Sequence, residues 1–329
     1  MSRLGSDANS GVERMLSQEA IGDGGKLAPD VAVELIAVLA AVSEAQPLAM
    51  TIDDGRALPS GPLEVGHRSL QSGLRAWVER QTRHQLGYTE QLYTFADPNR
   101  SGGAGRSRTI SISYLGLSRE ERTAAPHAAW RPWYDYFPWE DHRQGAPAMI
   151  AGAIAPELKR WADAGDAKTR EARAQRAAID FGLDGRRWNE ELALQRYELL
   201  FEAGLIPEAA NAATPGKTIP GVSMIGDHRR ILATGIARLR AKIKYNPVVF
   251  ELMPPVFTLL QLQRCVEAIA GRNVHKPNFR RQIEQQQLVE ETGETVTDTG
   301  GRPAKAFRFR AAVREERAAF GARLPLVRA

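Results

Sequence analysis

Hydrophobic positions change their spacing several times along this chain, and each change predicts a different element. Residues 31–42 form an apolar, β-branched run, the composition of a strand buried on both faces, and 48–52 offer it a partner across a short polar break. Residues 69–81 set Leu70, Leu74, Trp77 and Val78 at helical spacing, with the Ser69 hydroxyl placed to cap the first free N–H groups. Residues 88–96, alternating polar and apolar, and 108–117, rich in Ser, Ile and Tyr, predict two more strands around a turn cluster at 97–105. Strand, strand, helix, strand, strand is a mixed α/β unit with a central helix. Residues 1–27, rich in Ser, Gly and Asp and without periodicity, are expected to be a flexible arm.

From 118 to 215 the pattern differs. The aromatic run Trp130-Arg-Pro-Trp-Tyr-Asp-Tyr-Phe-Pro-Trp139 precedes helical sequence at 155–164, 167–181 and 188–203, so this stretch reads as a mostly helical insertion. Its tryptophans suit either packing of the insertion on the body or stacking of a base. An amphipathic helix follows from Asp227 to about Lys244, with Ile231, Leu232, Ile236, Leu239 and Ile243 on one face, until Asn246-Pro247 stops it. Beyond the apolar linker 248–256, Thr258 caps a helix over 259–270 that ends at Gly271. A short turn leads to a second helix from Pro277 to about Gln287. Residues 288–291 and 306–310 read as short strands around Gly300-Gly-Arg-Pro-Ala-Lys305. Scaffold helix, recognition helix and a two-stranded basic wing is the order of a winged helix-turn-helix.

A recognition helix packs one face and offers hydrogen-bond donors on the other. Phe279 and Ile283, with Leu288, supply the packing face; Asn278, Arg281, Gln282 and Gln285 are left outward. Asn and Gln match adenine and Arg matches guanine in the major groove. Lys276 and Arg280 stand near the helix N-terminus, where the dipole favours a phosphate. Arg302 and Lys305 flank Pro303 at the wing tip, for the minor groove or the backbone, and Thr258 at the start of the scaffold helix completes the DNA-binding set. Double-stranded DNA is the expected partner. RNA is the alternative, without an aromatic RNP-type strand or GXXG clamp beside the module, and a purely dimerising subdomain is the bland reading.

Charge points the same way. Residues 226–329 hold 19 Lys and Arg against 10 Asp and Glu, a net of +9, whereas the preceding 225 residues carry −4, for +5 overall. A basic C-terminal third implies a polyanion partner, or else a solvated basic tail. With 43 % hydrophobic and 25 % charged residues the chain is neither disordered nor fibrous as a whole. No apolar run approaches the ~18–20 residues of a membrane span, and no secretory pattern opens the chain, so a cytoplasmic protein with no membrane partner is expected. A single cysteine, Cys265, excludes an internal disulfide framework and a Cys-rich zinc site; with Leu262 and Ile269 at helical spacing it reads as a core thiol. The six histidines show no His-x-His or His-Glu-x-x-His spacing. Ser101-Gly-Gly-Ala-Gly105 lacks the Gly-Lys-Ser/Thr of a phosphate loop, and Ser72 and Ser223 sit in no Gly-x-Ser-x-Gly elbow. No catalytic residue and no metal ligand is expected.

The segment after the first strands carries a second pattern. A Nudix box reads Gly, five residues, Glu, seven residues, Arg-Glu-apolar-x-Glu-Glu-x-Gly-apolar, and its loop–helix–loop turns carboxylates toward Mg²⁺ and a pyrophosphate. Aligned on Gly61 behind Leu58-Pro-Ser, Arg75 takes the arginine position and Glu79 the first of the paired glutamates. His67 replaces the early glutamate, Ala76 the glutamate after the arginine, Arg80 the second metal-binding glutamate and Thr82 the glycine. With Arg80 where an anion belongs, catalytic metal binding is not expected, and Glu79 is expected to pair with Arg75 or Arg80.

Together, the two patterns give a specific resemblance. It is carried by Gly73-Leu-Arg-Ala-Trp-Val-Glu79, Leu86-Gly-Tyr-Thr-Glu-Gln-Leu-Tyr-Thr-Phe-Ala-Asp97, Trp133-Tyr-Asp-Tyr-Phe-Pro-Trp139, Asp227-His228, Lys244-Tyr-Asn-Pro247, Phe250-Glu-Leu-Met-Pro254, Phe257-Thr-Leu, Asn278-Phe-Arg-Arg281 and Gly301-Arg-Pro303. The chain resembles the Nudix-related transcriptional regulators of NAD metabolism, most closely their alphaproteobacterial NAD-biosynthesis branch, over about 28–140 and 222–310. The resemblance implies an α/β (α+β) fold: a Nudix-like α/β/α sandwich at 28–246, with the insertion at 118–215, then a winged helix at 247–312 and a tail at 313–329. It implies a homodimeric repressor of NAD biosynthesis genes on a near-palindromic operator. A catalytically degenerate sensor would answer to ADP-ribose, NAD or ATP, with no cofactor required. A pocket without metal carboxylates still binds pyrophosphate through arginines and an adenine on aromatics; the effector-binding candidates are Arg75, Arg80, Tyr93, Phe95, Arg106 and Arg108. The alternative is a Nudix-type pyrophosphohydrolase of nucleoside diphosphate-linked substrates with an incidental basic C-terminal domain.

Overall fold

The computed structural model describes residues 31–96, 108–119, 125–209, 218–245, 247–296 and 303–310. The expected arm and tail, Arg106 and Arg302 lie outside the described residues. A six-stranded sheet is built from β1 (Val31–Ser43), β2 (Gln46–Ile52), β3 (Ser60–Pro62), β4 (Tyr88–Phe95), β5 (Arg108–Leu117) and β6 (Ala128–Pro132). Its order is β4-β5-β1-β2-β6, with β3 beside the first half of β1. β1 and β5 run parallel from Val31↔Arg108 to Ala40↔Leu117. The run 31–42 lacks alternation because this central strand is covered on both faces, and Leu35 through Ala41 are all buried. The short strands β3 and β6 were not legible in the sequence.

One face of β1, with Leu35, Ala37 and Leu39, packs on Leu74 and Val78 of α1 (Leu70–Thr82). Ser69 and Ser72 close a capping box at its start. The insertion supplies α2 (Trp133–Tyr136), α3 (Ala155–Asp163), α4 (Ala167–Phe181) and α5 (Ala193–Glu202). α5 begins at Ala193 rather than at 188, because Asn189 is extended and a tight turn at Glu190–Leu192 intervenes. Trp133, Tyr136, Phe137 and Trp139 are fully buried, so the aromatic run packs the insertion and offers no exposed ring from that set to a base. The other face of the sheet, with Ile36, Val38 and Ala40, meets α6 (His228–Tyr245) through Ile231, Leu232, Ile236 and Leu239. This is the expected α/β/α sandwich.

β7 (Val256–Thr258), α7 (Leu259–Ala270), α8 (Lys276–Gln285), β8 (Val289–Val296) and β9 (Ala304–Phe309) complete the winged helix. The wing sheet has three strands in the order β7-β9-β8, not two. The extra strand comes from the end of the segment read as a linker, whose remainder is a turn at Pro247–Leu252 with Phe250 stacked on Phe309 at 4.1 Å.

Insertion, sandwich and winged helix are joined at one buried carboxylate. Glu140, fully buried after the aromatic run, accepts Arg196 of α5 at 2.5 and 2.8 Å and also accepts Arg240 of α6. Arg240 Nε donates to the Ile269 carbonyl at the end of α7 (2.9 Å), and Tyr134 Oη donates to Ala268 O (2.6 Å). Gly271, which ends α7 at φ +67°, presses into this corner: a Cβ there would stand 2.8 Å from Tyr134 Oη and 2.9 Å from Arg240 Nη2.

Burial by itself opposes ionisation of Glu140, but the Arg196 and Arg240 guanidiniums outweigh it and hold its pKa below the ordinary 4.5. A carboxyl depressed in the fold contributes stability above its unfolded pKa and loses it as pH falls through the folded value. Glu140→Gln is expected to lower unfolding free energy at neutral pH by about 3–5 kcal/mol, since two guanidiniums are left without a counter-charge. Urea titrations at pH 7 and pH 4 check this, the variant's deficit shrinking on the acid side.

Candidate nucleic-acid interface and nucleotide cleft

α8 is seated by Phe279, 8 % exposed, and half-buried Ile283, which pack in the core that holds Leu262, Cys265 and Ile269 of α7. Asn278, Arg281, Gln282 and Gln285 point away from that packed stripe, Lys276 and Arg280 flank it near the N-terminus, and all six are exposed. Arg281 Nη2 lies 3.4 Å from Asn278 Oδ1, a weak tether one turn away. The fold thus gathers six of the nine DNA-binding candidates, exposed, on one helix. Burial among apolar neighbours pushes the Cys265 thiol up to about 12, as suits a core residue.

Thr258 does not join that face. It is 2 % exposed, its hydroxyl accepts the Gln261 N–H, and the Gln261 side chain accepts the Thr258 N–H, so both groups belong to a capping box. Lys305 is exposed but already paired, with Nζ 2.8 and 3.1 Å from the two oxygens of Glu291; Arg308 is likewise held by Glu290 at 2.6 Å.

Among the described residues, most cations of the C-terminal third are paired internally. Along α6, Arg229 pairs with Glu208, Arg230 with Glu198, Arg238 and Lys242 with Glu90, Arg240 with Glu140, and Lys244 with Glu190 and Glu191. The mildly acidic body is the polyanion that α6 meets. Arg264, Lys276, Arg280 and Arg281 have no carboxylate partner among the described residues, and three of these four are on α8.

The effector candidates do not converge on one cavity. Arg75 donates to the Leu86 and Gly87 carbonyls and to Thr89 Oγ1, pinning the loop from α1 to β4. Arg80 lies over the Trp77 ring, 4.4 Å from its centroid. Neither pairs with Glu79 among the described residues, so the expected ion pair gives way to carbonyl and ring contacts. Tyr93 is exposed on β4, whereas Phe95 is 4 % exposed and lies under Arg230. Arg108 opens β5.

A cleft of about 330 Å³ stands elsewhere, between β1, β5 and the loop entering α6. Glu34, Ile36, Thr109, Ser111, Ile225, Asp227 and His228 line it. His228 Nδ1 accepts the Leu58 N–H at 2.9 Å, which places the proton of the neutral ring on Nε2, 4.0 Å from Glu34 Oε1. Burial raises the Glu34 pKa against hydrogen bonds from Ser60 and Ser111. Carboxylates and hydroxyls between apolar walls match ribose hydroxyls and a flat base. Sequence reasoning did not place this cleft, although the Asp227-His228 pair quoted for the resemblance lies in it. Among the described residues no group of three or more His, Cys, Asp or Glu is arranged to hold a metal ion.

Residues 249–309 match the family described as the NrtR DNA-binding winged helix domain. Over 83 residues, a quarter of this chain, the sequence is 42 % identical to the ADPR responsive transcriptional repressor NtrR of Acinetobacter baylyi. The matched segment spans 33 % of that repressor's length. Among solved structures, Shewanella oneidensis NrtR complexed with a 27mer DNA superposes with a TM-score of 0.53 at 18 % identity, over 84 % of this chain and 93 % of that one. A MutT/nudix family protein from Enterococcus faecalis does so with 0.52 at 16 % identity, over 92 % and 94 %. A Nudix-like sandwich followed by a winged helix is therefore the fold, and its C-terminal segment is similar to the NrtR DNA-binding winged helix domain. No helix among the described residues is long and apolar enough to cross a membrane.

Burial takes the His228 pKa from its ordinary 6.5 to about 4. A base whose folded pKa is depressed leaves stability intact above 6.5 and subtracts from it as pH falls towards 4, because only the unfolded chain takes up the proton there. The loss from this one group is expected to reach up to about 3 kcal/mol. His228→Asn, which keeps an acceptor for the Leu58 N–H, is expected to flatten the fall of the denaturation midpoint between pH 6.5 and 4; a profile as steep as that of the unaltered chain assigns the loss to another group.

Proposed function

We propose that this chain is a ligand-responsive transcriptional repressor that binds double-stranded DNA through α8 and takes an ADP-ribose-class nucleotide in the cleft at β1 and β5. The observation that carries the reading is the exposed face of α8, where Asn, Gln and Arg side chains suited to base edges stand on a helix whose other face is locked into a winged-helix core. The likeness to an ADPR-responsive repressor supports the effector class, with NAD and ATP as further candidates. By the resemblance, the targets are NAD biosynthesis genes and the binding unit is a homodimer on a near-palindromic site.

α6 supplies a physical route from effector to DNA. Its first residue, His228, lines the cleft, and Arg240, twelve residues on, holds the end of α7. At about 1.5 Å per residue these points are ~18 Å apart on one rigid element. A ligand that tilts the start of α6 therefore tilts the scaffold helix, and two recognition helices matched to half-sites about 34 Å apart tolerate little displacement.

Arg281→Ala is expected to weaken specific binding by about 1–3 kcal/mol per protomer without unfolding the chain. A gel-shift series on a duplex selected from a random-core pool by the full-length chain, with circular dichroism as the fold control, measures it; equal affinity removes Arg281 from the recognition surface. ADP-ribose is expected to lower affinity for that duplex by about 1–3 kcal/mol, and the duplex to lower ADP-ribose affinity equally. Isothermal titration into free and DNA-bound protein checks the reciprocity, and equal ADP-ribose affinities would falsify the coupling. Mg²⁺-dependent turnover of ADP-ribose in the same mixtures favours the pyrophosphohydrolase reading.

A further inference from the structure

The insertion does more than fill space on the body, because its α4–α5 connection is fastened to the turn of the helix-turn-helix. Trp188 lies between the His142 ring, at 3.8 Å centroid separation, and the Arg196 guanidinium, 3.7 Å from its centroid. His142 N–H donates to the Gly271 carbonyl at 2.6 Å, and Asn273 Nδ2 donates to the Arg143 carbonyl at 2.7 Å. Glu190 Oε1 is 3.1 Å from Arg272 Nη2, and the Glu190 carbonyl accepts Arg240 at 3.0 Å. These contacts reach residues 271–273, the turn that feeds directly into Lys276 at the N-terminus of α8. A loop of the insertion is thereby held beside the recognition helix by a stacked ring, an ion pair and backbone hydrogen bonds.

That loop presents Arg186 and Arg187, both exposed and without a carboxylate partner among the described residues. The loop's conformation is set, since Leu183 N–H donates to Ala178 O and Arg186 N–H to Leu183 O, each at 3.0 Å. The acids around it are largely accounted for: Glu190 is bridged by Lys244 and Arg272, and Glu191 by Lys244. Asp184 is the one acid within 182–189. Among the described residues, Arg186 and Arg187 therefore join Lys276, Arg280 and Arg281 of α8 as exposed cations without a carboxylate partner, on a loop bonded to the turn that precedes α8.

We propose that Arg186 and Arg187 form a second DNA contact, gripping phosphates of the duplex that flank the segment read by α8. The inference rests on the DNA-binding reading above and adds a contact from outside the winged helix. The pair commits to a double-stranded polyanion because its loop is bonded to the turn that leads into a groove-reading helix, where the backbone of an engaged duplex continues. Such contacts add affinity with little sequence preference.

The test uses the full-length chain and its selected duplex, as a long form with about ten flanking base pairs on each side and as a core-only form. For the long form, replacing both arginines (Arg186→Ser with Arg187→Ser) is expected to lower affinity and to flatten the dependence of log K on log salt by about 2 per protomer, near 0.9 for each phosphate released. Trimming to the core is expected to cost the unaltered chain the same affinity and the double variant almost none. Arg186→Lys with Arg187→Lys should restore binding of the long form. An unaltered denaturation midpoint excludes misfolding as the cause. If the double variant binds both duplexes with the affinity and salt slope of the unaltered chain while Arg281→Ala binds weakly, this inference falls and the DNA-binding reading stands. If the unaltered chain selects no duplex, both fall.

Discussion

Glu140 sits where three parts of the chain meet, and its charge has nowhere to go but onto Arg196 and Arg240. A carboxylate and two guanidiniums removed from water are costly unless nearly every lone pair and N–H is used. Here the remaining donors reach the carbonyls of Asp180, Asn189, Glu190 and Ile269. The requirement that this cluster be complete ties the insertion, α6 and the end of α7 into one arrangement. Apolar contacts alone tolerate sliding, whereas a buried ion cluster holds its register because each displaced bond exposes a charge to a dry interior.

The same constraint shapes the electrostatics of the surface. α6 is strongly basic in sequence, yet its arginines and lysines are matched by glutamates of the sheet and the insertion. Among the described residues, the exposed cations of the winged helix without a carboxylate partner are Arg264 of α7 and Lys276, Arg280 and Arg281 of α8. The wing shows the same economy, since Glu290 and Glu291 hold Arg308 and Lys305 across the β8–β9 pair.

The cleft at β1 and β5 and the scaffold helix α7 are connected by a single α-helix, α6. At one end, neutral His228 is fixed by the Leu58 N–H and looks toward Glu34; at the other, Arg240 grips both Glu140 and α7. Between them Gly235 lets α6 approach β1 closely, as a Cβ there would meet Val38 at 2.7 Å. Tight packing along its length makes the helix a lever and not a hinge.

Periodicity alone determined much of this protein. The doubly buried strand at 31–42, the Ser69 cap, the Thr258 cap, the Gly271 stop and the division of α8 into a packed and a donor face all follow from local stereochemistry and short-range spacing, which a sequence records directly. The presence of His67, Ala76 and Arg80 at the box spacings is likewise a matter of which residue types stand at fixed positions. Tertiary structure decided everything that depends on who meets whom across the chain. Thr258 stands in the DNA-binding set until Gln261 takes its hydroxyl, and Arg75 among the effector ligands until the Leu86 carbonyl claims it. The +9 of the C-terminal third reads as a DNA signal until six cations of α6 find their glutamates. The cleft itself joins Glu34, Ser111 and His228, residues up to 194 positions apart that only the β1–β5 register and the seating of α6 bring together. Charge and pocket shape are long-range properties of a folded surface, so composition states how many cations there are but not which of them remain without a partner.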